Sequence, residues 1–458
     1  MRILGGGAMG DVVTADRLTG VLIGAACADA LGAGYEFGGP VPADRPVTMR
    51  GQGPFEPGEW TDDTAQLLAI AIAAADGADL RTIAGEDAVA ALLQDWYLSP
   101  ARLKDIGIHS AAVFREVETL PMPGLGERFR AVAEAKEARH PGSSGGNGAL
   151  MRTAGVAMAL HDDPVAMVRA ALRLASMTHA DDLSSQACAV WCIAIRAALR
   201  CDDPSDLAGL AAAVDADVAS YLPVNVDYWL GVLAESFGTS PVDYYGSHPS
   251  NGYCVTTLRA AWAAVTGTPV PADQPGRHLQ LATEAAVRGG GDTDTVACVS
   301  GALLGAMWGY SAVPLQWRRR VFGWPGMRDA DLVRVADAIP RGGVDRSSWP
   351  HAAHQSYSHW GGTEALAVHP HDDGVVLSGI DAAYGRLAIP GGPIDAVVSL
   401  CRVGTQDLDH LGLPPEDRIE VRLIDTSRPS DNPHLQLVMD EAAYAVAAYR
   451  AEGKRVLL

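Results

Sequence analysis

The chain has 458 residues, of which 48% are hydrophobic and 20% are charged, and its formal net charge is -20. This composition excludes a largely disordered chain, and the length suggests two or three domains. The negative charge repels a nucleic-acid backbone and favours small or cationic partners. No uninterrupted apolar run reaches the roughly 18–20 residues of a membrane span. The seven cysteines include no Cys-x-x-Cys pair and do not suggest a disulfide framework. We therefore expect a cytoplasmic protein without a membrane segment.

The chain opens with Gly5-Gly6-Gly7-Ala8-Met9-Gly10, which satisfies the G-x-G-x-x-G pattern of dinucleotide-binding folds. The residues that follow, Asp11–Asp16, make a poor crossover helix, and no second strand follows at the distance that a βαβ unit requires. We therefore interpret residues 1–15 as an N-terminal extension and not as a nucleotide site.

Between residues 16 and 340, apolar residues recur at helical spacing and are interrupted by clusters of Gly, Pro, Asp and Ser. This pattern predicts an all-α domain of about a dozen helices. The predicted helices include Leu18–Leu31, Thr64–Ala75, Pro164–Ser176, Leu183–Leu199, Tyr253–Val265, Thr295–Trp308 and Leu332–Ile339. Cys188 and Cys192 lie on one of them, and we expect buried free thiols there.

The composition changes near Arg341, and we interpret residues 341–373 as a linker. Residues 374–458 show apolar runs of strand length and one long helix, a pattern typical of a smaller α/β module. The predicted strands are Gly374–Ser378, Ala396–Leu400, Glu420–Ile424 and Arg455–Leu458, and the predicted helix is Asn432–Glu452.

Two acidic clusters lie far apart in the chain, and each opens an apolar helix. The first is Glu59-Trp60-Thr61-Asp62-Asp63-Thr64, and the second is Arg288-Gly289-Gly290-Gly291-Asp292-Thr293-Asp294-Thr295. Thr and Asp at a helix start cap free backbone N–H groups, so capping alone would explain one such cluster. Two of them favour a metal site, because adjacent carboxylates repel each other unless a cation neutralises them.

The chemistry of these side chains indicates which metals they would bind. Carboxylate and hydroxyl oxygens suit Mg²⁺, Mn²⁺ or Ca²⁺ better than zinc, and neither cluster contains His or Cys. Four carboxylates exceed what one Mg²⁺ usually takes from protein, so a pair of ions about 3.5–4 Å apart fits better. The glycines Gly289 to Gly291 allow a tight turn and the close approach of a ligand.

Five segments, in this order, resemble the ADP-ribosylglycohydrolase family, which includes dinitrogenase-reductase activating glycohydrolase. They are Gly20–Gly32 with Glu36 and Phe37, Trp60–Thr64, Gly145–Arg152, Ser176–Ala180 and Gly290–Thr295. The resemblance covers about residues 16 to 340. It implies a mainly α fold, an all-α orthogonal helical bundle. It also implies hydrolysis of the bond between ADP-ribose and a modified group, often an arginine guanidinium on a protein.

The resemblance also implies roles for individual residues. The ligands of a centre of two Mg²⁺ or Mn²⁺ ions would be Thr61, Asp62, Asp63, Asp292, Asp294 and Thr295. The substrate would lie against Gly145, Gly146, Asn147, Gly148, His179, Gly290 and Gly291. In catalysis, Asp62 or Asp63 would take a proton from water, and Glu36 would act as a gate, a metal-side ligand or a proton donor.

Residues 374–458 resemble the front part of a dual-specificity protein phosphatase, with Asp425 in the place of its general acid. The strand Arg455–Leu458 resembles the one that leads into the His-Cys-x5-Arg loop, and this sequence has no such loop. Cys401 does not replace it, because no Cys-x5-Arg follows there. We expect an incomplete module, either truncated from a phosphatase or kept as a folding and binding appendage.

The predicted function is therefore a metal-dependent hydrolase that releases ADP-ribose from a modified acceptor, with arginine-linked ADP-ribosylated protein favoured. Two alternatives stay open. One is a non-catalytic ADP-ribose-binding or structural relative, and the other is the regulatory half of a phosphatase fusion. The presence of all four acidic residues favours the enzyme.

Overall fold

The computed structural model describes residues 7–100, 104–117, 124–342, 366–379, 382, 388–400, 408, 411–421, 423, 429 and 432–458. The chain divides into two compact units. The helical unit comprises Asp16–Val313 and Val321–Asp345. The C-terminal unit comprises Met1–Ala15, Pro314–Arg320 and Arg346–Leu458.

The helical unit consists mainly of α-helices joined by turns, so the prediction of a mainly helical fold is confirmed. The orthogonal arrangement of these helices stays a prediction. A short antiparallel ribbon, β1 Phe322–Gly323 with β2 Met327–Arg328, is also present. The helices up to residue 338 are α1 Gly7–Gly32, α2 Asp62–Ala75, α3 Ile83–Leu98, α4 Ile108–Val117, α5 Leu125–Arg139, α6 Ala154–Leu160, α7 Pro164–Ser176, α8 Asp182–Arg200, α9 Leu207–Tyr221, α10 Val226–Ser236, α11 Cys254–Gly267, α12 His278–Arg288, α13 Thr293–Trp308, α14 Leu315–Arg318 and α15 Asp329–Ala338. Of these, α14 and the start of α1, up to Ala15, are assigned to the C-terminal unit.

Helix α1 is longer than the sequence indicates. It begins at Gly7, inside the segment that we interpreted as an extension. A glycine disfavours a helix by only about 1 kcal/mol, so a long helix can continue through several of them. By length and composition, the stretch Val13–Tyr35 is also long and apolar enough to cross a membrane. This corrects the expectation that no apolar run reaches the length of a membrane span. The most apolar window of this stretch is wholly buried inside the fold, so a place in the protein core accounts for its hydropathy.

Helices α1 and α13 cross with their backbones in contact. A Cβ atom on Gly24 would overlap the carbonyl oxygen of Gly301. Likewise, a Cβ atom on Gly305 would overlap the carbonyl oxygen of Gly20. No side chain fits at either position, so glycine is required there by close approach and not by its backbone angles.

This crossing fixes the end of α1 against the start of α13. The Thr293 hydroxyl donates a hydrogen bond to the Gly32 carbonyl oxygen at 2.9 Å. A Cβ atom on Gly32 would lie 2.6 Å from the Cα atom of Asp294. The segment that follows α1 is therefore held beside the second acidic cluster.

The C-terminal unit contains a five-stranded sheet of order β3-β4-β7-β5-β6. Strand β3 is antiparallel to β4, and the other neighbouring pairs are parallel. Strand β7 thus lies between β4 and β5, and α16 packs on one face of the sheet through side chains such as Tyr449 and Ala445. The elements are β3 Ala367–His369, β4 Asp372–Leu377, β5 Ala396–Ser399, β6 Arg418–Glu420, α16 Leu435–Ala451 and β7 Val456–Leu457.

Helix α14 belongs to the core of this unit although it comes from the middle of the chain. Leu315 is buried in the same cluster as the α16 side chains. Arg318 Nη2 donates to the Glu420 carbonyl oxygen at 2.9 Å. Arg319 Nη1 pairs with Glu452 Oε1 at 3.0 Å. These contacts make α14 a structural part of the small unit.

Two predictions for this part of the chain differ from the structure. Strand β3 lies within the predicted linker 341–373, and its three residues are fewer than the roughly four to eight by which a strand is recognised in a sequence. The strand predicted at Glu420–Ile424 is Arg418–Glu420, because its register is set by pairing with Val397–Ser399. Residues 343–365, Cys401 and Asp425 lie outside the described residues.

The glycine crossing gives a prediction about stability. We expect Gly305→Ala to lower the free energy of unfolding by about 1–3 kcal/mol, because the new Cβ would force two helix backbones apart. The matched control is Gly231→Ala within α10, where a Cβ would meet nothing within 4 Å. That change is expected to stabilise by about 0.4–1 kcal/mol. Denaturant unfolding followed by circular dichroism measures both, and equal midpoints for the two variants would contradict the crossing.

Candidate metal centre

Three carboxylates from distant parts of the chain converge at one place. Oxygen atoms of Glu36, Asp292 and Asp294 all lie within 4.8 Å of one another. The loop that carries Glu36 is paired with the second acidic cluster. The Phe37 amide donates to the Gly291 carbonyl oxygen at 2.7 Å, and the Gly291 amide donates to the Gly38 carbonyl oxygen at 2.8 Å. The structure thus brings the predicted Glu36 together with the predicted Asp292 and Asp294.

The first acidic cluster is anchored by Asp29 of α1, which is fully buried. The Thr61 amide and hydroxyl each donate to Asp29 Oδ1 at 3.0 Å. The Thr64 amide and hydroxyl donate to Asp29 Oδ2 at 3.0 and 2.6 Å. Burial raises the pKa of Asp29 to about 6, although these hydrogen bonds lower it. Sequence reasoning missed this residue; the signal was an acid inside the apolar run of α1.

Two buried carboxylate oxygens at this place have no protein partner among the described residues: Oδ1 of Asp63 and Oδ1 of Asp294. The other oxygen of Asp63 accepts from the Thr61 hydroxyl at 3.2 Å, and the Thr295 side chain also hydrogen-bonds to Asp63. An unpartnered buried carboxylate oxygen is costly. Oxygen atoms in this state are the ligands that a hard divalent cation accepts, so the side chains present fit such an ion.

The pKa values of the carboxyl groups in this cluster also indicate a site that suits a cation. Burial raises the pKa of Asp62, Asp63 and Asp294 well above the ordinary value, and neighbouring carboxylates raise it further. Burial raises the pKa of Glu36 to about 8, with further contributions from Asp105, Asp292 and Asp29. Without a compensating positive charge, the protein therefore tends to keep protons on this cluster at neutral pH.

Asp105 is a further acid in the site that sequence reasoning did not single out. Its side chain hydrogen-bonds to that of Asp62, and burial raises its pKa, as does the charge of Asp292. Two carboxylates share a hydrogen bond only when one of them carries a proton. Asp105 lies in the loop between α3 and α4, where a lone acid shows no motif.

The predicted substrate loop is attached to the second acidic cluster through Asn147. Its side-chain amide donates to Asp292 Oδ2 at 2.8 Å and to the Thr257 hydroxyl at 3.0 Å. Asn251, which the sequence did not single out, supports the same segment. It donates to the Gly290 carbonyl oxygen at 2.8 Å and accepts from the Asp292 amide at 3.2 Å.

The glycines of the predicted substrate loop differ in their surroundings. His179 is buried, and a Cβ atom on Gly148 would lie 3.2 Å from its Nε2 atom. A Cβ atom on Gly146 would lie 3.7 Å from the same atom. A Cβ atom on Gly145 would instead lie 2.7 Å from the Tyr253 ring. The histidine ring therefore borders the loop at Gly146 and Gly148, whereas Gly145 allows packing against a tyrosine.

Gly290 and Gly291 both have a φ of +78°, a conformation that favours glycine. A Cβ atom on Gly290 would lie 2.8 Å from the Pro40 nitrogen, and one on Gly291 would lie 2.9 Å from Asn251 Nδ2. Close packing of the chain on itself thus explains both glycines. Contact with substrate stays a prediction for them.

Comparisons with known proteins extend these observations. The sequence profile of the family ADP-ribosylglycohydrolase matches residues 11–347. ADP-ribosylarginine hydrolase Tri1 of Pseudomonas putida (strain GB-1) is 28% identical over 317 residues, which cover 67% of this chain and 74% of that protein. ADP-ribosylhydrolase ARH3 of Bos taurus is 26% identical over 367 residues, which cover 71% of this chain and 93% of that protein.

A solved structure described as an ADP-ribosylglycohydrolase-related protein complex has a similar fold. Its TM-score is 0.53 at 26% identity, over 72% of this chain and 99% of that chain. The matched stretch of the family profile includes both acidic clusters and the loop Gly145–Arg152, and it ends before the sheet of the C-terminal unit. This chain is a member of the ADP-ribosylglycohydrolase family of hydrolases.

Proposed function

We propose that this chain is a divalent-cation-dependent hydrolase that releases ADP-ribose from arginine-linked ADP-ribosylated protein. The observation that carries the proposal is the pair of unpartnered buried oxygens on Asp63 and Asp294, beside the converging acids Glu36 and Asp292. The name of the Pseudomonas relative supports the arginine linkage. A cluster of carboxylates also suits a cationic guanidinium acceptor.

The residues that would hold two Mg²⁺ or Mn²⁺ ions are Thr61, Asp62, Asp63, Asp292, Asp294 and Thr295. When bound, such ions neutralise the carboxylates, hold ribose hydroxyls and lower the pKa of a water molecule. Asn147 would hold Asp292 in place through its 2.8 Å hydrogen bond, and Asp29 would hold the segment that carries Thr61.

We assign the proton transfers of the reaction to Asp62 and Glu36. Gln66 Nε2 donates to Asp62 Oδ2 at 3.0 Å and fixes this carboxylate, and Asp105 shares a hydrogen bond with it. We infer that Asp62, or its neighbour Asp63, takes a proton from the attacking water. Glu36 is partly exposed and lies within 4.8 Å of Asp292 and Asp294, and we infer that it acts as a gate, a metal-side ligand or the proton donor for the leaving guanidine.

The first test is release of ADP-ribose from an arginine-modified protein. We expect release with Mg²⁺ or Mn²⁺, none with a chelator, and a loss of about a hundredfold or more in Asp294→Asn because a charged ligand is removed. The matched control is Asp162→Asn, an acid whose side chain is 86% exposed, and it should retain activity. Binding of ADP-ribose by the wild-type protein without release under any metal condition would contradict the proposal in favour of a non-catalytic binding protein.

The second test is the pH dependence of stability. In protein stripped of divalent ions, we expect the melting temperature to rise as the pH falls from about 8 to about 6.5. The folded state binds protons more tightly than the unfolded chain, where the carboxyl pKa is about 4. This stabilisation is present at low pH and is lost as the pH rises through the folded pKa values, such as about 8 for Glu36.

Saturating Mg²⁺ should raise the melting temperature at pH 8 and flatten its dependence on pH, because the cation replaces the protons. Scanning calorimetry at constant ionic strength measures both effects. The buried histidines oppose this trend below about pH 6.5, because burial lowers the pKa of His179 and His278 in the folded state, so the rise is read between about pH 8 and pH 6.5. A melting temperature that responds neither to pH nor to Mg²⁺ would count against the metal centre.

We further propose that the C-terminal unit is phosphatase-like, and that the protein is cytoplasmic. The central position of β7 in the sheet, directly after α16, supports the first proposal. The buried, unpaired thiols of Cys188 and Cys192 support the second. We expect this chain to release no phosphate from an aryl phosphate, with or without chelator. Chelator-insensitive release would instead support a phosphatase with a regulatory glycohydrolase half.

A further inference from the structure

A buried chain of hydrogen bonds connects the acidic cluster to the substrate loop, and Arg152 lies at its middle. Arg152 is 1% exposed. Its Nη1 donates to Gln66 Oε1 at 2.7 Å, and its Nη2 donates to the Thr178 hydroxyl oxygen at 2.6 Å. Gln66 then donates to Asp62, and the Thr178 oxygen lies 2.8 Å from His179 Nδ1. One guanidinium thus connects a predicted metal ligand with the histidine that borders Gly146 and Gly148.

The chain has a fixed direction because arginine only donates hydrogen bonds. On one side, Gln66 must present its carbonyl oxygen to Arg152. Its amide nitrogen therefore faces Asp62, and the carboxylate accepts there. This determines which oxygen of Asp62 is occupied and orients the group.

On the other side, the hydroxyl oxygen of Thr178 accepts a hydrogen bond from Arg152. The hydroxyl hydrogen of Thr178 is therefore donated to a different acceptor. Among the described residues, the acceptor that this hydroxyl meets is Nδ1 of His179. A neutral imidazole that accepts at Nδ1 carries its hydrogen on Nε2. The Nε2 atom is the one that borders Gly146 and Gly148.

We propose that Thr178, itself held by Arg152, is a positioning residue that keeps His179 in the neutral tautomer with its hydrogen on Nε2, so that His179 presents an N–H donor to the ligand at the substrate loop. This inference rests on the proposed function, in which ADP-ribose lies on that loop. The diphosphate and ribose oxygens of ADP-ribose accept hydrogen bonds, whereas a bare Nε2 lone pair would repel them. Burial, with contributions from Arg152 and His109, also lowers the pKa of His179 well below its ordinary value.

The test uses Thr178→Val, which removes the hydroxyl with little change of shape, and Thr178→Ser as the variant that retains it. Imidazole nitrogen NMR of ¹⁵N-histidine-labelled protein reports the tautomer, and the signal of His179 is identified by its loss in His179→Gln. We expect the Nε2–H tautomer in the wild type and in Thr178→Ser, and loss of this preference in Thr178→Val.

Calorimetric titration with ADP-ribose gives the second measurement. We expect the dissociation constant to rise about tenfold in Thr178→Val, the effect of one lost or misdirected hydrogen bond, and to recover in Thr178→Ser. The affinity for Mg²⁺ should stay unchanged, because the Gln66 branch is intact in both variants. A purely structural role for Thr178 would lower the melting temperature and leave the tautomer as it was.

Two results would overturn the inference: an Nδ1–H tautomer in the wild type, or wild-type affinity for ADP-ribose in Thr178→Val. Neither result touches the metal-dependent release of ADP-ribose, which is measured separately. Conversely, a wild-type protein that binds ADP-ribose with the expected tautomer and fails to release it from modified protein would support the inference and refute the proposed activity.

Discussion

The helical unit has to hold several carboxylates close together although their negative charges repel one another. Glu36, Asp292 and Asp294 approach within 4.8 Å, and two neighbouring oxygens are left without a protein partner. Such an arrangement is unfavourable in isolation, and it persists only where the surrounding structure is stable enough to impose it. The contact between the α1 and α13 backbones holds the end of α1 against Thr293 and Asp294, and the loop that carries Glu36 follows directly after it.

Different polar residues around the cluster hold the two acidic segments in place. Asp29 holds the first acidic segment at the start of α2, and Asn147 and Asn251 hold the second at the start of α13. Arg152 then joins the first segment to the border of the substrate loop. Each of these side chains is satisfied within the protein, whereas Oδ1 of Asp63 and Oδ1 of Asp294, where a cation would bind, are left without a protein partner. The site is therefore preorganised by hydrogen bonds that do not themselves need the ligand.

The sequence predicted helices and site residues where the pattern lay in neighbouring residues. It did not predict site residues that come together only in the folded chain. Strong helical periodicity predicted helices such as Pro164–Ser176 with the bounds that the structure shows. The two acidic clusters were visible because each repeats the same residue types at a helix start. Asp29, Asp105 and Asn251 carry no motif, and only the folded chain brings them to the site. Strand β3 was not predicted because it is only three residues long, shorter than the runs that identify a strand in a sequence.

The origin of α14 limits how the molecule can be divided. The chain leaves the helical unit at Val313, contributes Pro314–Arg320 to the small unit and returns at Val321. A fragment that started after residue 340 would lack Leu315, Arg318 and Arg319, which are parts of its own interior. Conversely, a fragment that ended at residue 340 would keep α14 without the C-terminal residues that cover it, so its apolar side chains would be exposed. No single cleavage point yields two self-sufficient pieces, so the small unit is better studied by substitution in the intact chain than by excision.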